Sequence, residues 1–499
     1  MPLRHRKRQQ LKNRQTLLTI VREFWVKGVL ATSLHKQVPI KLGWEESTDT
    51  VDSAWNLELA IADERQKPLP KGSQIISLFE QLGEGGKLLI LGEPGAGKTT
   101  SLLQLTHDLL NRAEQDLDYP IPVFLNLSSW AGRKQTMNDW LVEELQSEYA
   151  IPPATGRDWV KKQQLLLLLD GLDEVKAEHR ESCVAALNDF QQNYASVMVV
   201  CSRSKDYSNL SNRLKFHRTI YLKPLTPEQI HQYLDGIPAD LTEVKALMAE
   251  DRALQELAKS PLMLNMIVLA YKGVAVKYLP KTTVVEARRK QLFDDYIERM
   301  LEHPIPGKGK QRYSPAQTKY WLTWLAQRMI ENSQTVFFIE DMHLWLQGKD
   351  KRILYLLGGA VLTGLSFRLV PLLFLVLLPG IIFGLLTNKL PIGLLSYGLL
   401  YSLRTALIDS FIYGLMLGLT GLITPLISPS SSVIVGQLLL QNPYRLMLYR
   451  NGYIPWNYAR FLDYGAERLL LQNVGISYLF IHRLLLEHFA QMKLEQTNI

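Results

Sequence analysis

The sequence predicts an α/β fold, a parallel sheet with helices on both faces, followed by helical regions that an apolar block interrupts. Three observations carry this. Short apolar runs alternate with amphipathic stretches over residues 73–225, and strands that are apolar throughout need cover on both faces. Beyond Pro224 the strand pattern is expected to stop and helical periodicity to take over. From Ile353 to Ile427 only Arg368, Lys389, Arg404 and Asp409 are charged.

The first stretch, residues 1–65, reads as a basic helical segment. Arg4, Arg6, Lys7, Arg8, Lys12 and Arg14 precede any acidic residue and account for most of the net charge of +8. No secretory signal is expected, since Arg22, Glu23 and Lys27 interrupt any apolar run. The cations read either as a solvated tail or as a patch for anionic lipid; nothing argues strongly for nucleic acid. Leu18, Val21, Trp25 and Val29 place a helix over residues 17–34. Gln66 to Gly72, with two prolines, reads as a linker.

Within residues 73–225 the expected strands are Lys87–Leu91, Ile121–Leu127, Leu165–Leu169, Val197–Cys201 and Thr219–Leu222. Helices are expected at Thr99–Asn111, Met137–Tyr149 and Arg180–Tyr194. Residues 226–285 form a helical domain, with helices from Pro227, Leu241, Asp251 and Pro261; longer helices start near Glu286 and Ser314. Cys183 and Cys201, the two cysteines, read as buried thiols in a reducing compartment, and no metal-ligand spacing is present.

The chemistry concentrates at three strand ends. Gly92, Glu93, Pro94, Gly95, Ala96, Gly97, Lys98 and Thr99, followed by Thr100, fit the phosphate loop G-x-x-x-x-G-K-[ST]. Glycines let backbone N–H groups turn toward phosphate oxygens, Lys98 supplies a point charge, and Thr99 offers a hydroxyl to Mg²⁺. The run Leu165–Leu169 ends in Asp170, expected to hold the metal through water, then Asp173 and Glu174, either of which could activate a water. Val199–Arg203 ends in a cation able to sense phosphate charge.

With these residues in hand, the chain resembles the NACHT family of STAND signalling NTPases, and bacterial members with membrane segments in particular. The matching stretches are GEPGAGKTT, PVFLNLSSW, LLLLLDGLDEV, VVCSRS, YLKPLTPEQI and KSPLMLNMIVLAY, and Tyr478–Ala490 looks like the end of the family's winged-helix domain. The resemblance implies that Arg203 is the first sensor arginine, that Pro261 packs near adenine, and that His482 reaches the β-phosphate of ADP in a closed form. It also implies a winged helix in two parts, residues 286–350 and 441–499. Eukaryotic relatives continue into leucine-rich repeats, whereas this sequence ends nine residues after Ala490, so no such array is expected.

Residues 353–427 are then an inserted transmembrane block of two or four spans. If both flanks complete one winged helix, the crossings must be even in number. Lys349, Lys351 and Arg352 point to the cytoplasmic side. The resulting expectation is a multi-pass cell-membrane protein with its nucleotide domain in the cytoplasm. It binds ATP/ADP and Mg²⁺, hydrolyses slowly, contacts lipid and self-associates in the ATP state. The resemblance suggests defence or stress signalling; stimulus and effector are not legible. A continuously cycling membrane ATPase and a non-hydrolysing scaffold are the alternatives.

Overall fold

The structure, a computed structural model, describes residues 2–33, 59–61, 75–83, 86–130, 136–216, 218–237, 239–273, 284–302, 312–345 and 445–494. The described residues fall into two compact units, those within 1–336 together with 462–494, and those within 337–461. No helix among the described residues is long and apolar enough to cross a membrane. The block at 353–427 lies outside the described residues, as does the linker at 66–72.

The first unit is built on a six-stranded sheet of order β1-β6-β2-β5-β4-β3. Its strands are β1 (Leu59–Ile61), β2 (Lys87–Gly92), β3 (Ile121–Asn126), β4 (Leu165–Asp170), β5 (Met198–Arg203) and β6 (Arg218–Leu222). β2 lies parallel between β5 and β6, and β3 and β4 continue the parallel array. Every residue of β4 is buried, because helices cover both faces and leave no polar side for alternation. β1 differs from expectation. It is an antiparallel edge strand on β6, recruited from a stretch assigned to the helical N-terminal segment.

The N-terminal segment is helical as expected, and its second half is packed rather than a solvated tail. In helix Pro2–Val21, Leu17, Leu18 and Val21 are buried, and Arg14 donates to Ala113 O at 2.9 Å and Asp116 O at 3.1 Å, while Arg8 and Lys12 stay exposed. Arg14 is spent on a helix C-terminus and is not free for lipid. Arg22–Leu30 continues as a π-helix, whose Trp25 indole donates to the Tyr149 hydroxyl at 2.9 Å.

Helices Pro227–Gly236 and Pro315–Glu331 begin with capping boxes, Thr226 with Gln229 and Ser314 with Gln317, each with proline at the first turn. Strands return after Pro224, contrary to expectation, as an antiparallel hairpin of Leu471–Val474 and Ser477–Phe480 turning at Gly475, φ +67°. Segments far apart in sequence pack together here. Tyr296 Oη donates to Leu469 O at 2.7 Å, and Gln327 Nε2 to Met492 O at 3.1 Å. His488 Nε2 lies 2.8 Å from Asp294.

The second unit has an aromatic core. Phe337 stacks on Trp345 at 5.1 Å and meets Tyr458 edge-on at 5.9 Å, and Tyr458 stacks on Phe461 at 5.9 Å. Residues before and after the apolar block therefore share one small core.

Candidate functional site

Parallel β-strands bring their carboxyl ends to one edge, and there the sequence has placed its polar residues. Gly92 is in register with Arg203, and Asn126 with Asp170. Pro94–Gly97 turn between β2 and helix Lys98–Gln115, with Gly95 at φ +77° and Gly97 at φ +95°. A Cβ on Gly95 would stand 2.6 Å from Ser260 Oγ and 3.0 Å from Leu262 Cβ, so only glycine lets the helix starting at Pro261 close on the loop. Leu262 N donates to Gly95 O at 3.4 Å. Pro261 thus lines the same cavity, of about 250 Å³, as the loop residues Pro94–Thr100.

Lys98 Nζ donates to Gly92 O at 2.9 Å and Glu93 O at 3.0 Å, which holds its charge over the loop. Thr99 Oγ1 donates to Asp170 Oδ2 at 2.6 Å. A hydroxyl and a carboxylate side by side at a phosphate loop are hard oxygen donors of the kind Mg²⁺ takes, so these residues fit that ion. Burial raises the Asp170 carboxyl to about 6, against the Thr99 hydrogen bond.

The geometry separates the two acids that the sequence leaves equivalent. Asp173 is engaged by Arg203: Nε lies 2.8 Å from Oδ2, and the Arg203 backbone N–H donates to Oδ1 at 3.0 Å. Glu174 takes one hydrogen bond, from Asn126 Nδ2 at 3.2 Å, and faces Arg483 Nη1 at 4.0 Å. Burial lifts its carboxyl to about 7, with the Arg483 charge pulling downward. Gly171, φ +75°, makes the turn that brings it back; a Cβ there would sit 3.0 Å from the Glu174 carboxyl carbon.

His482 caps helix Arg483–Gln491, its Nδ1 accepting Leu484 N–H at 3.0 Å. Burial, with Lys98 and Arg203 nearby, lowers its pKa to about 3, so the ring is neutral. Nδ1 is an acceptor, so the neutral ring carries its proton on Nε2. The same helix supplies Glu487, which accepts from Arg203 Nη2 at 3.0 Å and from Arg483 Nε at 3.3 Å. Asp173, Arg203, Glu487, Arg483 and Glu174 thereby form one alternating chain of charge, from the sheet edge to the C-terminal helix and back.

The structure thus brings Gly92–Thr100, Asp170, Asp173, Glu174, Arg203, Pro261 and His482 to one place. Sequence reasoning missed Asn126, Arg483 and Glu487. Asn126 ends an apolar strand in a polar residue, the signal that marked Asp170, while Arg483 and Glu487 flank His482 at helical spacing. It also missed Trp25 and Leu30 of the π-helix, which form part of the cavity wall.

A family model for the NACHT domain matches residues 87–237. No curated protein matches the chain. Among solved structures, the chain is similar to Cdc6p from Pyrobaculum aerophilum, at 14% identity over 57% of this chain and 83% of that one, with a TM-score of 0.29. It is also similar to the Drosophila ORC bound to DNA, at 13% identity over 63% and 77%, with a TM-score of 0.31. Strand order, phosphate loop and family match agree: residues 87–237 of this chain form a NACHT domain, the nucleotide-binding P-loop NTPase domain of STAND proteins.

Proposed function

We propose that this chain is a membrane-anchored signalling ATPase, switched between an ADP-bound closed form and an ATP-bound form that self-associates. One observation carries the reading. The C-terminal helix places His482, Arg483 and Glu487 against the phosphate-loop cavity, bonded to the residues that would sense and cleave a γ-phosphate. A domain held by such bonds responds to which phosphates are present, and differential affinity is what a nucleotide switch requires.

In this reading Lys98 and the loop amides hold the β-phosphate, and His482 donates to it from Nε2. Pro261 and Leu262 close over the nucleotide. Thr99 and Asp170 would hold Mg²⁺, which supplies neutralisation of phosphate charge. Glu174, positioned by Asn126, takes the proton of the attacking water. Asp173 is the partner of Arg203 rather than the base. While the C-terminal helix is docked, Arg203 is held between Asp173 and Glu487 and Arg483 faces Glu174. Hydrolysis is therefore slow until the helix leaves.

The apolar block at 353–427 supports the membrane anchor, and the shared core of Phe337, Trp345, Tyr458 and Phe461 supports an even number of crossings. Lys349, Lys351 and Arg352 favour a cytoplasmic nucleotide domain. The resemblance to STAND proteins favours a stimulus of defence or stress.

Competition of ADP and ATP for a fluorescent nucleotide on the full-length protein tests the switch. ADP is expected to bind at least ~10-fold more tightly than ATP, and Lys98→Ala to abolish both. Equal affinities together with the same state of self-association under ADP and under ATP would sink the reading, since a ligand that binds two states equally shifts neither.

A further inference from the structure

One surface of the second unit plays no part in the nucleotide site. Helical residues 445–450 and the turn that follows expose three large apolar side chains, Leu446 at 45%, Tyr449 at 44% and Trp456 at 69%. Tyr449 and Trp456 are packed ring against ring at 5.3 Å, so they present one preformed patch rather than scattered exposure. Ile454, Tyr458 and Phe461 beneath it are buried, which anchors the patch on the unit's aromatic core.

The charge along this stretch of chain has one sign. Arg450 and Arg460 are exposed and Arg445 is half-buried, while no Asp or Glu occurs between Asp409 and Asp463. Position adds a third constraint. The patch follows the apolar block of residues 353–427, and the core beneath it also holds Phe337 and Trp345 from before the block. Arginines beside Tyr and Trp, on chain that flanks an apolar segment, are what a polar–apolar boundary with anionic headgroups selects.

We propose that Leu446, Tyr449 and Trp456, with Arg445, Arg450 and Arg460, form an interfacial surface that lies on anionic lipid headgroups. The inference rests on the membrane anchor proposed above and goes beyond it. The second unit is seated on the bilayer in a fixed orientation instead of hanging from it by flexible chain. Leu446, Tyr449 and Trp456 enter the headgroup layer, and the arginines meet lipid phosphates. A docked unit would transmit displacement of the apolar block directly to residues 337–345, which precede it.

The test uses a label at position 456. Cys183 and Cys201 are buried, so Trp456→Cys in the full-length protein offers one accessible thiol for a fluorophore. Tyr449→Cys is the second site, and Ile476→Cys, 72% exposed on the hairpin turn, is the control. Each is reconstituted in phosphatidylcholine vesicles containing phosphatidylglycerol, with brominated lipid or aqueous iodide as quencher. Labels at 456 and 449 are expected to lose at least half their emission to brominated lipid and to resist iodide, and the label at 476 to do the reverse. Arg450→Gln with Arg460→Gln should weaken the bromolipid quenching as phosphatidylglycerol is diluted.

Alkaline carbonate extraction separates the two layers of the argument. Protein that stays with the vesicles while the 456 label is open to iodide and blind to brominated lipid overturns the surface and leaves the anchor standing. Extracted protein whose 456 label still responds to phosphatidylglycerol vesicles removes the anchor and upholds the surface. Extracted protein with an iodide-accessible label removes both. Iodide protection at 456 without vesicles, in detergent with an acidic protein bound, overturns lipid as the occupant.

Discussion

Replacing Glu487 by Gln keeps its shape and removes its charge, so it isolates what the charge chain contributes to holding the C-terminal helix. Glu487 accepts from Arg203 at 3.0 Å and from Arg483 at 3.3 Å, with side chains 30%, 22% and 18% exposed. Pairs so exposed fall between surface pairs worth under about 1 kcal/mol and buried ones whose breaking costs about 3–5 kcal/mol. Arg203 keeps Asp173 as a partner, which limits the loss. The expected cost to the closed form is therefore about 1–2 kcal/mol, a factor of roughly 5–30 in the closed–open ratio. Release of fluorescent ADP chased by excess unlabelled ADP should accelerate by that factor. The same substitution made in an Arg203→Gln background should have much less effect, because the partner is already gone. Release unchanged within twofold, or an identical effect in both backgrounds, would refute the role given to the chain.

Glu174→Gln should lower ATP turnover by ~10²-fold or more, as expected for loss of a general base, while ADP affinity is kept; Asp173→Asn should instead mimic loosening of Arg203. With the Glu174 carboxyl at about 7 in the closed form, the slow residual turnover of that form should rise with pH up to that region. Arg483 faces Glu174 only while the helix is docked, so Arg483→Ala should move the rise of the closed form's residual, ADP-inhibited turnover to higher pH; a residual profile left unmoved counts against Glu174 as base. His482 is depressed to about 3 against an ordinary value near 6.5. Its neutral packing stabilises the closed form above pH 6.5, and that contribution is lost as pH falls below, reaching ~2 kcal/mol at pH 5. Asp170 and Glu174, raised by burial, shift stability the opposite way over the same interval, so the measured quantity is wild type minus His482→Gln. A Cβ on Gly28 would meet Val474 Cγ1 at 2.2 Å. Gly28→Ala should therefore cost ~1–3 kcal/mol in thermal unfolding, and Val474→Ala should recover part of it.

How much of this was legible depends on how local each signal is. The phosphate loop and Asp170 stand in contiguous stretches whose glycines, lysine and terminal carboxylate each have one purpose, so their placement followed from spacing. The assignment between Asp173 and Glu174 did not, because it depends on which acid Arg203 reaches from a neighbouring strand. Arg483 and Glu487 were within the stretch already singled out, but their partners lie nearly three hundred residues away in sequence. β1 is three residues long and owes its strand geometry to β6, and the C-terminal hairpin has strands of four, too short for alternation to register. The π-helix over Arg22–Leu30 is invisible to a 3.6-residue period by its nature, so the sequence reads there as ordinary helix.

The most direct test of the switch is the nucleotide bound to the detergent-purified full-length protein, measured with its turnover and size, for wild type and His482→Ala. ADP is expected to be retained near one per chain in the wild type, with slow turnover. The variant should lose ADP, turn over faster and shift to larger species when ATP is present. Rapid wild-type turnover with no retained ADP, unaltered by His482→Ala, would contradict the clamp and leave a continuously cycling ATPase.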